Sequence, residues 1–443
     1  MIEVPSTHRV SAERLAAMLD DSRRRTRELT ADLGGSRLFG PNISIVNPAL
    51  WEVGHVGFFH DYFALHTLFG LDHYQRADAG QLYDSSAIPH DDRWALPLPT
   101  MDETWQYLGG VRDAMMARLP DSGLASEAVS YVYQLTALHE DMHAEAFTYT
   151  RQTLGDPPPA LAGGADLPPA EPTGPLPGDV DVPGGEHLLG SDEIVPFRFD
   201  NEKQPHTVMV EPFRIARAPV TNADFAAFVE AGGYERREYW SEAGWAWLQA
   251  NPKTAPAHWH AGAEGREVDW FDRRVALAPH KPVMHVNFHE AEAWCAWAGR
   301  RLPTEAEWEV AASRMPADDG RALAPGKRLY PWGDTPPDAQ RANLDGYRLD
   351  CVDVAAFADG DSACGCRQML GNVWEWTSSI FAPYPGFGID LYRDYSQPWF
   401  KEQRMVLRGG AWATRSRLVH NNHRNFFPGG RNDIYAGFRT CAA

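Results

Sequence analysis

The sequence lacks the features that mark extracellular, nucleic-acid-binding or membrane-spanning proteins. It has only five cysteines in 443 residues, an odd number without the spacing of a disulfide framework, which predicts reduced thiols. It carries 41 Lys and Arg against 60 Asp and Glu, a formal charge of −19, which argues against nucleic acid or an anionic membrane as a partner. No apolar run reaches the length of a membrane span.

The N-terminal segment also lacks the basic stretch and the following apolar stretch of a secretory signal. Together with the cysteine usage, this predicts a cytoplasmic location. A hydrophobic content of 44% is ordinary for a globular protein, and the length is sufficient for two substantial cores.

Helical periodicity is the first positive signal, and it covers residues 1–155. Apolar residues recur at helical spacing in four stretches, AERLAAMLDDSRRRTRELTADL, ALWEVGHVGFFHDYFALHTLFG, MDETWQYLGGVRDAMMARL and SEAVSYVYQLTALHEDMHAEAFTYTRQTLG. Thr100 with Glu103 forms a capping box before the third stretch, and Gly155 ends the fourth. Four helices with mostly short connections predict an antiparallel helical bundle.

A stretch rich in Pro and Gly, residues 156–179, predicts an extended linker to a second domain over residues 180–443. In that domain the predicted strands are short, and few helices have caps. Two of these helices begin at Thr221 with Asp224 and at Thr304 with Glu307. The pattern predicts an α+β domain with much irregular structure, so the whole chain is an α+β multidomain protein.

Three histidines form the most informative constellation. His139 and His143 in LHEDMHAEAF are four residues apart, which places them roughly 40° apart on one face of a helix. This spacing lets one helix present two imidazoles to one metal ion. A third imidazole from another helix, His55 in NPALWEVGHVGFFHDYF, completes a facial set that leaves coordination positions open. The constellation predicts a catalytic metal.

The same residues allow another interpretation. HEDMH matches HExxH, the signature of zinc hydrolases, with Glu140 as the general base. His60 competes with His55 as the third ligand, but it lies on a different face of the helix. On the motif alone, a catalytic centre with three histidine ligands and an HExxH zinc hydrolase are about equally favoured.

The second domain resembles formylglycine-generating enzymes, also called sulfatase-modifying factors. The resemblance rests on VPGGEHLLGS, FRIARAPVTNADFAAFV, PVMHVNFHEAEAWCAWAGRRLPTEAEWEVAA, YPWGD, GNVWEWTSS, VLRGGAW and AGFRT, which occur in order. The copper-dependent members need two cysteines near the C-terminus, whereas no cysteine lies between Arg408 and Arg439. The domain is therefore expected to serve another activity.

The whole chain resembles the ergothioneine-biosynthesis sulfoxide synthases. A DinB-like four-helix bundle with WEVGH and HxxxH, fused to a formylglycine-type domain, is their architecture. The resemblance implies a non-haem Fe(II) enzyme that uses O2 as co-substrate to join a sulfur or selenium donor to C2 of the imidazole of hercynine. It implies His55, His139 and His143 as the iron ligands.

Further roles follow from the resemblance, residue by residue. Tyr392 in LYRDYS matches a tyrosine that donates a proton or hydrogen atom beside the iron, and Tyr395 matches a substrate-pocket tyrosine. Asn425 in HRNFFPGGRND matches the asparagine that contacts hercynine, with Phe426 as a neighbouring aromatic residue and Arg431 in the same substrate-binding motif.

The donor pocket departs from the γ-glutamylcysteine pattern. In SSAIPHDDRWALPLP, His90 replaces one of the expected arginines and Arg93 is kept, while Phe427 replaces an acidic residue. Losing a carboxylate clamp removes the reason to prefer a charged dipeptide. The segments YDSSAIPHDDRWALPLP and ALHEDMHAEAFTYTRQTLG and the NFF…GFRTC ending resemble most the selenoneine synthases, which couple hercynine to a selenosugar.

Three alternatives remain open at this point. A sulfoxide synthase that uses γ-glutamylcysteine or cysteine is the nearest. An HExxH zinc hydrolase would need no O2, and His55 would be dispensable to it. A catalytically silent binding module would bind no redox metal. The predicted partners are small-molecule substrates, with no nucleic acid and no membrane.

Overall fold

Four long helices form the first part of the chain, as the apolar periodicity predicts. The computed structural model describes residues 8–164, 167, 172–192, 195–263 and 265–443. The helices of the first part are α1 (Ala12–Thr30), α2 (Ala49–His60), α3 (Ala79–Tyr83), α4 (Met101–Met116) and α5 (Glu127–Leu154). Only α3, within the connection between α2 and α4, was not predicted.

The ends of these helices follow from their capping residues. Thr100 and Glu103 form the predicted capping box of α4, with both reciprocal hydrogen bonds present. The side chain of Ser126 accepts a hydrogen bond from the Val129 backbone at the start of α5. Gly155 ends α5 in the left-handed conformation with φ 66°, which glycine adopts without steric cost.

Helix α2 does not stop at His60 but widens into a π-helical segment, Asp61–Leu68. Such segments are rare and occur frequently at functional sites. The connection that follows contains α3 and a short 3-10 helix, His90–Trp94. None of the helices in the described part of the chain is long and apolar enough to cross a membrane.

The chain divides into two compact units. The first comprises residues 1–162 together with a short distant segment, Ile389–Asp394, and the second comprises the remaining residues from Gly163 onward. The attachment of Ile389–Asp394 to the helical unit has no counterpart in the predicted domain boundaries. It matters because Tyr392 lies within this segment.

Short strands and helices build the second unit, with long irregular connections between them. The strands are β1 (Asp179–Val182), β2 (Gly185–Leu189), β3 (His206–Val210), β4 (Phe213–Ala216), β5 (Trp259–Gly262), β6 (Gly265–Trp270), β7 (Arg273–Ala276), β8 (Arg300–Arg301), β9 (Trp374–Ile380), β10 (Met405–Arg408), β11 (Asn425–Phe427), β12 (Ala436–Gly437) and β13 (Cys441–Ala442). The helices are α6 (Asn222–Glu230), α7 (Glu242–Ala250), α8 (Phe288–Ala298) and α9 (Glu305–Ser313). This confirms the predicted α+β fold class.

Two four-stranded sheets organise this unit, in the orders β1-β4-β13-β8 and β11-β10-β9-β12. The capping boxes predicted at Thr221 and Thr304 begin α6 and α9. The core is rich in indole rings, and its largest fully buried side chains include Trp308, Trp374 and Trp376.

Two parts of the predicted linker pack within the second unit. The backbone N–H groups of Thr173 and Gly174 both donate to the Asp353 carboxylate at 3.0 Å. Earlier in the linker, a Cβ on Gly164 would lie 2.8 Å from the carbonyl oxygen of Tyr347, so only glycine fits there. Residues 165–166 and 168–171 of the linker lie outside the described residues.

Candidate metal centre

Helix α5 presents two histidines on one buried face of the first unit. His139 and His143 lie one turn apart, and their ring centroids are 4.6 Å apart. His139 is 5% exposed, and the His143 side chain is 19% exposed. The spacing read from the sequence therefore produces the expected pair.

Helix α2 adds the third imidazole. The ring centroid of His55 lies 5.3 Å from that of His139 and 5.0 Å from that of His143. One ring nitrogen of each histidine lies within 4.8 Å of the corresponding nitrogens of the other two. The structure thus brings together the three residues predicted as metal ligands.

Two of the imidazoles are oriented by hydrogen bonds at Nδ1. His143 Nδ1 lies 2.6 Å from the Glu52 carboxylate, and His55 Nδ1 lies 2.9 Å from the backbone carbonyl of Tyr83. Because a carboxylate or a carbonyl accepts, Nδ1 carries the proton and Nε2 keeps its lone pair for a metal. The Trp51 indole stacks on His55 with centroids 5.0 Å apart.

The third imidazole is held by packing instead. The Phe59 ring stacks on His139 with centroids 3.5 Å apart and an angle of 5°. Nδ1 of His139 is buried and has no hydrogen-bond partner among the described residues. A buried polar atom of this kind calls for an explanation, and an imidazole that turns toward two others in order to coordinate an ion supplies one. The donor set fits a divalent transition metal such as iron.

Burial keeps His55 and His139 neutral. Burial, and then the neighbouring His143, lower the pKa of His55 to about 3. Burial and both neighbouring imidazoles hold the pKa of His139 well below its usual range. Neutral imidazole is the form that binds a metal, so the site needs little proton release before it is loaded.

The carboxylate of Glu140, the glutamate of the HExxH motif, is hydrogen-bonded to other residues of the helical bundle. Its Oε1 accepts hydrogen bonds from Arg23 at 2.9 Å and from Thr26 at 2.7 Å, and its Oε2 lies 3.0 Å from His60 Nε2. Burial alone would raise the pKa of Glu140, but Arg23 and His60 lower it. The general-base role in the zinc-hydrolase interpretation has no support from this geometry, and His60 faces Glu140 instead of the cluster.

Tyr392 lies beside the histidine cluster within the first unit. Its ring packs edge-on against Phe59, with centroids 4.9 Å apart, and lies 6.0 Å from the ring of His139. Burial raises the pKa of its phenol above the usual range. The structure thus places the predicted proton donor one ring away from a predicted ligand.

The two donor-pocket residues predicted in the first unit lie in the 3-10 helix after α3. His90 Nε2 lies 2.7 Å from the Val46 carbonyl, and its Nδ1 lies 2.9 Å from the Asp91 carboxylate. The Arg93 guanidinium lies 4.0 Å from the centroid of the Trp51 ring, the same ring that stacks on His55. Arg93 is thereby connected to the cluster through an aromatic ring.

The remaining predicted site residues lie in the second unit. Tyr395 stacks on Phe199 with centroids 4.3 Å apart, and its ring lies 6.1 Å from that of Phe426. Phe426 stacks on Phe381 at 3.8 Å. Asn425 and Phe427 flank Phe426 on β11, and the Arg431 guanidinium lies 5.1 Å from the centroid of the Phe427 ring.

Several residues around the cluster were not predicted from the sequence. Trp51 and Glu52 precede His55 by about one helical turn in WEVGH, so helical periodicity places them near the ligand. Phe59 follows His55 by one turn. Tyr83 contributes through its backbone carbonyl, for which no side-chain pattern exists.

The combination of domains defines the class of this protein. The family model for the sulfatase-modifying factor enzyme 1-like domain matches residues 164–443, and the DinB superfamily model matches residues 18–147. The second unit is also similar to a formylglycine-generating enzyme of Streptomyces coelicolor, with 35% identity over 60% of this chain and 87% of that protein.

Similarity over nearly the whole chain specifies the family. A hercynine oxygenase of Mycolicibacterium thermoresistibile is 38% identical over 96% of this chain and 94% of its own length. A hercynine oxygenase of Mycobacterium tuberculosis is 37% identical over 97% of this chain and 99% of its own length. The chain belongs to the family of these proteins, which confirms the predicted ergothioneine-type family. The selenoneine branch remains a prediction.

Proposed function

We propose that this chain is an Fe(II)- and O2-dependent enzyme that couples a selenium or sulfur donor to C2 of the hercynine imidazole. The names of its relatives support hercynine as the acceptor. The observation that carries the proposal is the cluster of His55, His139 and His143, in which one ring nitrogen of each histidine lies within 4.8 Å of the others. Three neutral nitrogen donors suit a redox-active divalent metal.

His55, His139 and His143 would hold the iron. Bound Fe(II) would supply open coordination positions and the electrons for O2 chemistry. The protein orients the ligands through the Glu52 carboxylate, the Tyr83 carbonyl and the Phe59 ring. Such orientation before substrate arrives lowers the cost of bringing the reactants together.

Tyr392 is the proposed catalytic residue. Because burial raises the pKa of its phenol, the side chain stays protonated at neutral pH. It can therefore deliver a proton or hydrogen atom from Oη during the reaction. The neighbouring rings of Phe59 and Phe63, with centroids 4.9 and 5.6 Å from that of Tyr392, hold the phenol in place.

Hercynine carries a trimethylammonium group, and aromatic faces attract such cations. We assign this contact to Tyr395 and Phe426, with Asn425 as a hydrogen-bonding partner. Each ring is held by another on one face, Tyr395 by Phe199 and Phe426 by Phe381. A wall built in this way loses little side-chain entropy when substrate binds.

The donor is proposed to be a neutral selenosugar. His90 is bound to the Val46 carbonyl, and Arg431 forms a two-pronged pair with Asp433 at 2.6 and 2.7 Å. These contacts leave Arg93, whose guanidinium donates to Asn47 at 2.6 Å, as the main cation for a donor carboxylate. Phe427 adds no charge. The two carboxylates of γ-glutamylcysteine would find too few cations in this pocket, whereas a neutral sugar needs none.

The experiment is anaerobic loading with Fe(II), exposure to O2 with hercynine and one donor, and mass spectrometry of the products. The donors are a selenosugar, γ-glutamylcysteine and cysteine, and His139→Ala is the control for the metal site. A hercynine–selenium adduct that requires O2 and His139 supports the whole proposal. A sulfur adduct alone retains the enzyme class and overturns the donor. The absence of any adduct overturns the function.

A further inference from the structure

Glu52 is a buried carboxylate in direct contact with the histidine cluster. It lies in the first turn of α2, is 2% exposed, and approaches Nδ1 of His143 to 2.6 Å. A buried carboxylate is costly unless a charged or strongly polar partner satisfies it. We therefore expect Glu52 to act on His143, the side chain that it contacts.

The three imidazoles differ in the partner of Nδ1. In His143 this partner is the Glu52 carboxylate, and in His55 it is the carbonyl of Tyr83 at 2.9 Å. In His139, Nδ1 has no partner among the described residues, and the Phe59 ring stacks on the face of the imidazole. Since a charged acceptor forms a stronger hydrogen bond than a neutral one, His143 receives the strongest support.

We propose that Glu52 is a positioning residue that makes His143 the strongest metal donor of the three. This role of Glu52 rests on the proposed metal site, and it has two aspects. Glu52 accepts the Nδ1–H of His143 and so fixes the tautomer that presents Nε2 to the ion. Its negative charge also stands beside a cation held by three neutral ligands, which stabilises Fe(III) relative to Fe(II) and lowers the reduction potential.

Two substitutions at Glu52 separate these parts. Glu52→Ala removes both the hydrogen bond and the charge, and it should weaken Co(II) or Fe(II) binding by about 10- to 100-fold. Glu52→Gln keeps an oxygen that can accept the Nδ1–H but removes the charge, so its loss of affinity should be smaller. Both variants should raise the Fe(III)/Fe(II) reduction potential, because both lack the carboxylate.

A double-mutant cycle distinguishes positioning from a general structural role. If Glu52 acts mainly through His143, then Glu52→Ala should weaken metal binding much less in a His143→Ala background than in the wild type, because only the effect of the charge then remains. Asp61→Asn is the matched control. Asp61 is a fully buried carboxylate at the end of α2, but it accepts from the Gln75 backbone at 2.8 Å and from the Tyr107 hydroxyl at 3.0 Å. Its loss should leave metal affinity unchanged.

The readouts are anaerobic metal titration, the potential of the iron-loaded protein and circular dichroism to check folding. Unchanged affinity and potential in folded Glu52→Ala overturn the inference. An equal loss in Asp61→Asn, or an additive loss in the His143→Ala background, also overturns it. Absence of metal binding in the wild type would instead overturn the proposed function on which the inference rests.

Discussion

Two buried polar sets, one in each unit, have different roles. In the second unit, Arg408 is fully buried and donates to Glu305 at 2.9 Å and to Glu309 at 2.6 Å, while His187 lies 3.1 Å from Glu309. Each of these buried polar side chains is paired with another side chain of the same unit. In the first unit, one ring nitrogen of each of the three histidines lies close to those of the other two, and unprotonated nitrogens cannot form hydrogen bonds with one another. We call the Arg408–Glu305–Glu309–His187 group the closed set, because its members pair with one another and stabilise the fold. We call the three histidines the open set, because their free ring nitrogens can bind a ligand.

The largest effect is expected from removing one member of the open set. His139→Ala should abolish Fe(II)-dependent product formation and the rise in Tm that the metal produces, because only two ligands remain. The Tm of the apoprotein should also fall, because the variant loses the buried ring that stacks on Phe59, so the difference in Tm with and without metal is the decisive quantity. Calorimetry with and without Fe(II) measures both quantities. A metal-dependent rise in Tm that persists in the variant would contradict this account.

The corresponding change in the closed set should act on stability instead. Arg408→Ala removes the buried cation that Glu305 and Glu309 share and leaves them only Arg424 and Lys327, and the expected cost is about 3 kcal/mol. Denaturant unfolding measures this loss. The surface pair Arg112–Asp20, whose side chains are 38% and 49% exposed, is the control, and Arg112→Ala should cost well under 1 kcal/mol. Equal losses in the two variants would remove the distinction between the sets.

Acid should destabilise the apoprotein through its buried neutral histidines. Burial lowers the pKa of His55 to about 3, so between pH 6.5 and about 3 the unfolded chain binds a proton that the folded chain does not. The stability due to this group is present above pH 6.5 and is lost as the pH falls. His55→Gln should therefore flatten the decline of unfolding free energy between pH 6 and 4.5 by up to about 1.4 kcal/mol per pH unit. An unchanged slope would show that His55 is protonated in the folded state.

The smallest effect on binding and stability is expected at Tyr392. Tyr392→Phe retains the ring that packs on Phe59 and Phe63 and removes only the hydroxyl, so metal affinity and Tm should be unchanged. The product ratio should shift from coupled hercynine toward oxidised donor. Liquid chromatography with mass detection gives this ratio, and an unchanged value would remove Tyr392 from the catalytic role.

Much of this organisation could be predicted from the sequence because it is local. Helical periodicity and capping boxes predict α1, α2, α4 and α5, and the spacing of His139 and His143 predicts the ligand pair. The resemblance to a known family supplied His55 and Tyr392.

What could not be predicted depends on contacts between residues distant in sequence. The Tyr83 carbonyl reaches His55 across 28 positions, and backbone acceptors leave no side-chain pattern. Likewise, no pattern in Ile389–Asp394 indicates that this segment joins the helical unit. Glu52 was within reach of helical periodicity, but its partner His143 is 91 positions away.

The most direct test of the central claim is X-ray absorption spectroscopy of the Fe(II)-loaded protein and of its His55→Ala variant. We expect one iron per chain with three imidazole ligands in the wild type, and weaker binding with two imidazoles in the variant. A first shell without histidine, or an identical spectrum for the two proteins, would show that the metal lies elsewhere and would contradict the three-histidine centre.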